Sequence, residues 1–346
     1  MVGHHPMRFL GIIIGILLLV GIALTGSFLW DAYALSPDDA APDLQITIPQ
    51  GTSVDAIAVQ LEDAGIITSR FYFKAYVKLA GAASLLQAGE FVLKPKTSFR
   101  AAVQKLSRAE FKEVQVTIPE GFTSAQIGAA IDAALEHVTA ESWDAVARQP
   151  SALEVAQKLF AGIPSGQGLE GYLFPDTYRF RVDADAKTVA ETMALTLSRR
   201  LAENNIIVPD HLVMPNEMTL HELLTLASIV EREVRSPEDM ARVAGIFFSR
   251  LKIGMALQAD STVNYVTGKK DAAVTFADSR IESPYNTYIK LGLPPGPICN
   301  PGMNAIRAVL NPVDSDALYF LTTSEGEVVY ARTFEEHMRN KKKWLE

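Results

Sequence analysis

An unbroken apolar run opens the chain. Phe9–Trp30 carries 22 consecutive uncharged residues rich in Ile, Leu, Val and Gly. As a helix at about 1.5 Å per residue it would span about 33 Å, enough to cross a hydrocarbon core of about 30 Å. Beyond the linker Leu35–Asp43, the pattern changes to short alternating runs and helical periods. Ile46–Leu61 (ITIPQGTSVDAIAVQL) recurs 70 residues later as Val116–Ile131 (VTIPEGFTSAQIGAAI). Each copy predicts a strand, a Pro-x-Gly turn, a Ser or Thr cap (Ser53, Thr123) and a helix. Two copies are too few for a solenoid, so they mark equivalent strand–helix corners of a small α+β region. Between them the pattern predicts helices over Ser69–Leu79 and Ser98–Leu106 and a strand over Gly89–Leu93. Helical patterns follow over Ala125–Leu159 and Ala184–Asn204, with an irregular lead-in at Val208–Met218 and an aromatic turn region at Leu169–Phe180.

The strongest helical signal is Leu220–Glu233, LHELLTLASIVERE. Thr219 and Glu222 have the spacing of a capping box. Leu220, Leu223, Leu224, Ala227 and Val230 recur at helical spacing, which predicts one strongly apolar face. At about 100° per residue, Glu231 lies above Leu220, Leu224 and Ala227, while Glu233 points about 200° away, toward water. Glu231 thus sits where core belongs, near the negative end of a helix, and both conditions raise a carboxyl's pKa. A carboxyl kept protonated near neutrality is what a general acid requires. The competing reading is an ion pair with Arg232, Arg235 or Arg242. A second helix, Pro237–Lys252, capped by Ser236, completes an αα-hairpin through Val234–Arg235.

After Gly254 the helical period fades. Met255–Gly268 and Ser283–Gly302 are polar and aromatic, and four prolines between 294 and 301 predict a stiff, extended loop. Tyr285, Asn286, Thr287, Tyr288 and Asn300 on such a loop suit carbohydrate, through amide hydrogen bonds and stacking; a proline-rich structural wrap is the alternative. A short helix (Asn304–Leu310), a hairpin (Leu318–Thr322 and Val328–Ala331) and a last helix (Thr333–Trp344) complete the chain.

Composition narrows the function. A formal net charge of −8 over 346 residues leaves no basic excess for phosphates, which argues against nucleic acid. The six histidines are scattered and there is a single cysteine, Cys299, so neither a metal site nor an intrachain disulfide is expected. No cofactor motif stands out. Arg8 on one side of the apolar run and Asp31, Asp38 and Asp39 on the other place the bulk of the protein outside the cytoplasm. Ala32-Tyr33-Ala34 resembles a signal-peptidase site, but the run exceeds a signal core of about 7–15 residues, which favours a retained anchor.

In order along Leu169–Trp344, LEGYLFPDTY, LASIVERE, RLKIGMALQADSTVNY, YNTY, GLPPGPICNPG and the terminal LYFLT…Y resemble the endolytic murein transglycosylase family called MltG, or YceG-like. The resemblance implies an α+β protein with an N-terminal stub and transmembrane anchor (1–34), a linker (35–43), a LysM-like subdomain (44–115) and a YceG-like catalytic domain (116–346). A membrane spacer is the alternative for the LysM-like part. It further implies a lyase at the bacterial inner membrane with its catalytic domain in the periplasm. Such an enzyme cleaves the MurNAc-β-1,4-GlcNAc bond of nascent peptidoglycan strands, leaves a 1,6-anhydro end and ends strand elongation. The family's catalytic glutamate corresponds to Glu231, the residue that the helix geometry selects independently. Gln258, Asp260, Ser261, Tyr285, Asn286, Tyr288 and Asn300 fall in the family's motif stretches and are expected to position substrate. Ser261 stands where some relatives have proline, and Cys299 where they have a small residue. Peptidoglycan synthases are the expected partners. Two rival readings stand: a lysozyme-like hydrolase using Asp260 or Glu233 as second carboxylate, and a non-catalytic, membrane-tethered glycan-binding scaffold.

Overall fold

In the computed structural model the apolar run is a helix, α1 (His5–Leu29), followed by one π-helical turn at Trp30–Ala34. The structure describes residues 5–37, 40–49, 51–108, 112–153, 157–160, 162–206, 218–269 and 274–345. The expected lead-in at Val208–Met218 lies outside these residues except for Met218. By length and composition α1 can cross a membrane, and its central side chains are uncovered by protein. Leu17, Leu18 and Leu19 are each more than 60 % exposed. Apolar side chains left open along the middle of a helix are unfavourable in water and favourable in lipid.

The chain folds as two units, 1–112 and 113–346. In the first, β1 (Leu44–Ile48) leads into α2 (Val54–Asp63) and α3 (Arg70–Leu79), and β2 (Gly89–Leu93) returns antiparallel to β1, with Ile46 opposite Phe91. A further helix, α4 (Phe99–Leu106), follows. Ser53, Ser69 and Ser98 each accept the backbone N–H three residues on, which is why all three helices start where serine stands. Ile57, Leu61, Phe73, Phe91, Phe99 and Leu106 form its core.

The second unit begins with β3 (Glu113–Thr117), which the sequence reading divided between two domains. It pairs antiparallel with β4 (Thr177–Arg181), placing Val116 opposite Tyr178, so the whole strand belongs to the second unit. Between these strands lie α5 (Ser124–Asp132), α6 (Ala140–Ala147) and α7 (Gln157–Phe160). The two copies of the repeated motif therefore fold alike, as strand, turn and capped helix, but in different units. Beyond β4 come α8 (Ala186–Glu203), α9 (Leu220–Glu233), α10 (Pro237–Lys252), α11 (Asp260–Thr267) and α12 (Met303–Leu310). The hairpin β5 (Tyr319–Thr322) and β6 (Val328–Ala331) precedes α13 (Phe334–Trp344).

Helix α9 lies against α10, α11 and α12. The capping box forms as read: Thr219 Oγ1 accepts from Glu222 N, and the Glu222 carboxylate accepts from Thr219 N. The expectation of a single apolar face does not hold, because every residue from Leu223 to Val230 is buried. Thr225 and Ser228 tolerate this by donating to the carbonyls of His221 and Thr225 within their own helix. Residues 260–267, expected to be irregular, are helical as α11, ended by Gly268 at φ 70°. The reason lies outside the segment: Glu233 accepts the Ser261 hydroxyl at 2.7 Å and, at 3.4 Å, its N–H, and so caps that helix from another element.

Candidate active site

The proline-rich stretch is laid along α9 and tied to it at three points. His221 Nε2 donates to Pro295 O at 2.8 Å, a carbonyl being able only to accept. Two turns on, Ser228 Oγ accepts the N–H of Ile298 at 3.0 Å, while Cys299 Sγ donates to Ser228 O at 3.3 Å. Glu231 completes the series: its Oε2 accepts the N–H of Gly302 at 3.0 Å. Stiffness from four prolines and anchors at successive depths hold the loop in one register, so residue 302 arrives at the acid.

Glu231 is half-buried. Its pKa is pushed up to about 7, first by desolvation and then by the nearby charge of Glu120; the Gly302 N–H and Arg232 act against the rise. Gly302 is also the N-cap of α12, so a helix N-terminus faces the carboxyl and offsets the α9 C-terminal dipole. Desolvation still dominates. Of the arginines offered as ion-pair partners, Arg232 directs Nη1 to Gly121 O at 3.3 Å, and its charge opposes the rise in the Glu231 pKa.

The second wall comes from the second copy of the repeat. Its turn, Pro119-Glu120-Gly121, is joined to the loop by Gly121 N to Asn300 O (3.0 Å) and Asn300 N to Phe122 O (2.9 Å). Gly121 has φ +77°, and a Cβ there would lie 3.7 Å from Glu231 Cγ. This positive φ, not lack of space, requires glycine. Glu120 is exposed, and its carboxyl packs over Gly302 so closely that a Cβ on residue 302 would fall 1.9 Å from Oε1. The sequence reading passed over Glu120; the repeat itself was the available signal, since position 50 of the first copy holds glutamine.

A third carboxyl was also missed. Glu170 accepts the Ser124 N–H with both oxygens (2.9 and 3.1 Å), the Asn300 amide at 2.8 Å and the Tyr265 hydroxyl at 3.5 Å. Desolvation raises its pKa to about 8 against these three donors. Cys299 feels both Glu170 and Glu231, and burial together with those charges pushes its thiol well up.

The residues expected to position substrate fall into distinct surroundings. Asn300 is fully buried and wholly engaged: its amide donates to Phe122 O and Glu170, and its Oδ1 accepts Leu173 N. Asn286 is likewise buried; it donates to Ser279 O and Ile281 O and accepts Tyr288 N, which ties its own loop together. Both build the scaffold of the site. Asp260 accepts the Tyr288 hydroxyl, and Ser261 is held by Glu233. Glu233 therefore does not point to water as its helical phase suggested. Burial raises its pKa, the Asp260 charge adds to this, and Ser261 and Arg250 oppose it. Tyr285 donates to Gln167 and tilts against Tyr265, ring centroids 5.2 Å apart. Gln258 is exposed, in the left-handed region at φ 48°, and its N–H donates to Thr287 O at 3.0 Å. A non-glycine residue at positive φ costs energy, and such residues gather at functional sites. Among the described residues no cluster of His, Cys, Asp and Glu could hold a metal ion.

The chain combines a membrane-length helix and a small α+β unit with a helical unit in which burial raises three carboxyls, Glu170, Glu231 and Glu233. The sequence model described as the YceG-like family matches residues 46–343, and the chain belongs to that family. It is 36 % identical over 339 residues to the endolytic murein transglycosylase of Bacillus subtilis (strain 168), covering 94 % of this chain and 91 % of that protein. The endolytic murein transglycosylase of Streptococcus pneumoniae serotype 2 is 31 % identical over 360 residues, covering 95 % of this chain and 64 % of that protein. A crystal structure of a YceG-like protein from Listeria monocytogenes matches with a TM-score of 0.58 and 32 % identity. It covers 87 % of this chain and all of that one.

Proposed function

We propose that the chain is a lyase, a peptidoglycan lytic transglycosylase that cuts within glycan strands, with Glu231 as its acid and then its base. One observation carries the reading: a half-buried carboxyl whose pKa is raised to about 7 at the end of α9, in a chain whose relatives are named endolytic murein transglycosylases. The Glu231 proton passes to the bridging oxygen of the MurNAc-β-1,4-GlcNAc bond as the bond to C1 breaks. The carboxylate left behind accepts the proton of the muramyl 6-hydroxyl, whose oxygen bonds to C1 and closes a 1,6-anhydro ring. Water enters neither step, so a second carboxylate to activate it is not required.

Gln258, Asp260, Ser261, Tyr285 and Tyr288 position the strand, while Asn286 and Asn300 act through the loops they brace. The first unit, with its strand–helix–helix–strand order, is a LysM-like glycan-holding module. Helix α1 anchors the enzyme in the inner membrane with its catalytic unit on the periplasmic side. There it meets strands as they leave the synthases and ends their elongation.

Mass spectrometry of digests of purified peptidoglycan tests the proposal. The wild type is expected to release anhydro-ended fragments. The Glu231→Gln protein should fold and bind strands but release none; undiminished release would remove Glu231 from the chemistry. Reducing ends in place of anhydro ends would mean hydrolysis. For that reading Asp260 and Glu233 are poorly placed, since Tyr288 and Ser261 already engage them.

A further inference from the structure

Within the reading that Glu231 is the acid, the neighbouring turn holds a group that the single-glutamate scheme leaves unused. Glu120 is exposed, with no ion-pair partner among the described residues, and its carboxyl lies against Gly302. The backbone that carries it is held in place. The turn that carries it is bonded to the proline-rich loop in both directions at Asn300, and Gly121 supplies the positive φ that the turn needs. Gly302 links the two acids: its N–H bonds Glu231 at 3.0 Å, and its missing Cβ leaves the space that the Glu120 carboxyl occupies. Ordinary bond lengths across that one residue hold the two carboxyl groups within about 8 Å of each other. Paired glycosidase carboxylates stand about 5–9.5 Å apart, with the scissile bond between them.

We propose that Glu120 is a second catalytic carboxylate, which faces the muramyl ring and stabilises the positive charge that develops at C1 as the bond to the leaving oxygen breaks. No bond to Glu120 forms. The electron pair of the broken bond leaves with the bridging oxygen, which takes the Glu231 proton, and the 6-hydroxyl oxygen then supplies the pair that closes on C1. The division of labour follows environment: Glu231, the acid, is half-buried, whereas Glu120 is exposed. The charged groups that act on Glu231 are Glu120 from the turn and Arg232 from its own helix, with the buried Cys299 thiol beside it on the loop.

The test compares wild type, Glu120→Gln, Glu120→Asp and Glu231→Gln as full-length chains in detergent, each acting on purified glycan strands across a range of pH. Glu120→Gln should lower kcat roughly 100-fold with KM little changed. It should also move the alkaline limb of the pH profile downward, because loss of a nearby negative charge lets Glu231 ionise more easily. Glu120→Asp should recover part of the rate. A kcat within about threefold of wild type would overturn the proposal, being far below the effect of a lost charge stabiliser. So would a fall in rate with the alkaline limb unmoved and the melting temperature reduced, which is the mark of a merely structural residue. Activity lost in Glu231→Gln but kept in Glu120→Gln would refute this proposal alone. Activity kept in Glu231→Gln would refute the assignment of the acid, and this inference with it.

Discussion

The backbone N–H of Gly302 donates to the Oε2 of Glu231 at 3.0 Å, and the same glycine has no side chain where the Glu120 carboxyl lies. One residue thus sets the hydrogen bonding of the acid and the approach of its charged neighbour. Gly302 has φ −77°, so alanine can take its backbone conformation, and only the Cβ is at issue. The atom it would meet is the far end of an exposed side chain, which can swing away.

Gly302→Ala should therefore fold normally, with a melting temperature within about 2–3 °C of wild type. Its turnover should fall roughly tenfold or more, because Glu120 is displaced from the site. Calorimetry beside product release measures both; equal activity in the alanine variant would show that the position of Glu120 is unimportant.

Turnover should decline as pH rises through about 7, where Glu231 loses the proton that it donates. Titration of kcat from pH 5 to 9 reads this limb, and a rate still climbing at pH 8 would contradict a protonated acid.

Stability should also depend on pH, and Glu170 is the place to look. Its folded pKa of about 8 lies above the value of 4.5 for an ordinary glutamate, so the folded state holds the proton more tightly. The resulting stability is present in full below the unfolded pKa and is lost as pH rises toward the folded one. Glu170→Gln imitates the neutral acid and should flatten that slope, removing a loss of order 1–3 kcal/mol between pH 5 and 8 after allowance for solvent. Urea unfolding at the two pH values checks it; parallel slopes for variant and wild type would exclude Glu170 as the source.

Asn300→Ala should destabilise the second unit by about 2–4 kcal/mol, since it leaves Leu173 N, Phe122 O and Glu170 short of partners in a buried place. Denaturant midpoints give the figure. A loss below about 0.5 kcal/mol would mean that water replaces the amide, contrary to its complete burial.

Ser228→Ala removes the acceptor for Ile298 N and should cost about 1–3 kcal/mol. Because that bond lies between the His221 and Glu231 anchors, activity should fall by more than the stability loss explains. A drop in kcat measured well below the unfolding range tests the loop's registration.

Local rules, which act within a few residues, account for what could be read early. The length of α1, the Thr219 capping box, the Ser236 start of α10 and the apolar surroundings of Glu231 all depend on side-chain spacing along one helix. The same rules misjudged Glu233, because helical phase says where a side chain leaves its helix and not what another element brings to meet it. They also missed α11, whose first turn is capped by a residue 27 positions earlier than Asp260.

The sequence by itself determined most of the helices and strands, the membrane-length helix and the one acid on an apolar face, since short-range geometry and burial tendency need no partner. Only the tertiary structure decided that Glu120 and Glu170 belong to the same neighbourhood, that Asn286 and Asn300 face inward to protein, and that Gly302 meets Glu231. Those facts depend on contacts between segments far apart in the chain. Their pairing is set by how α9, the proline-rich loop and the repeated turn pack together, and no periodicity within any one of them records it.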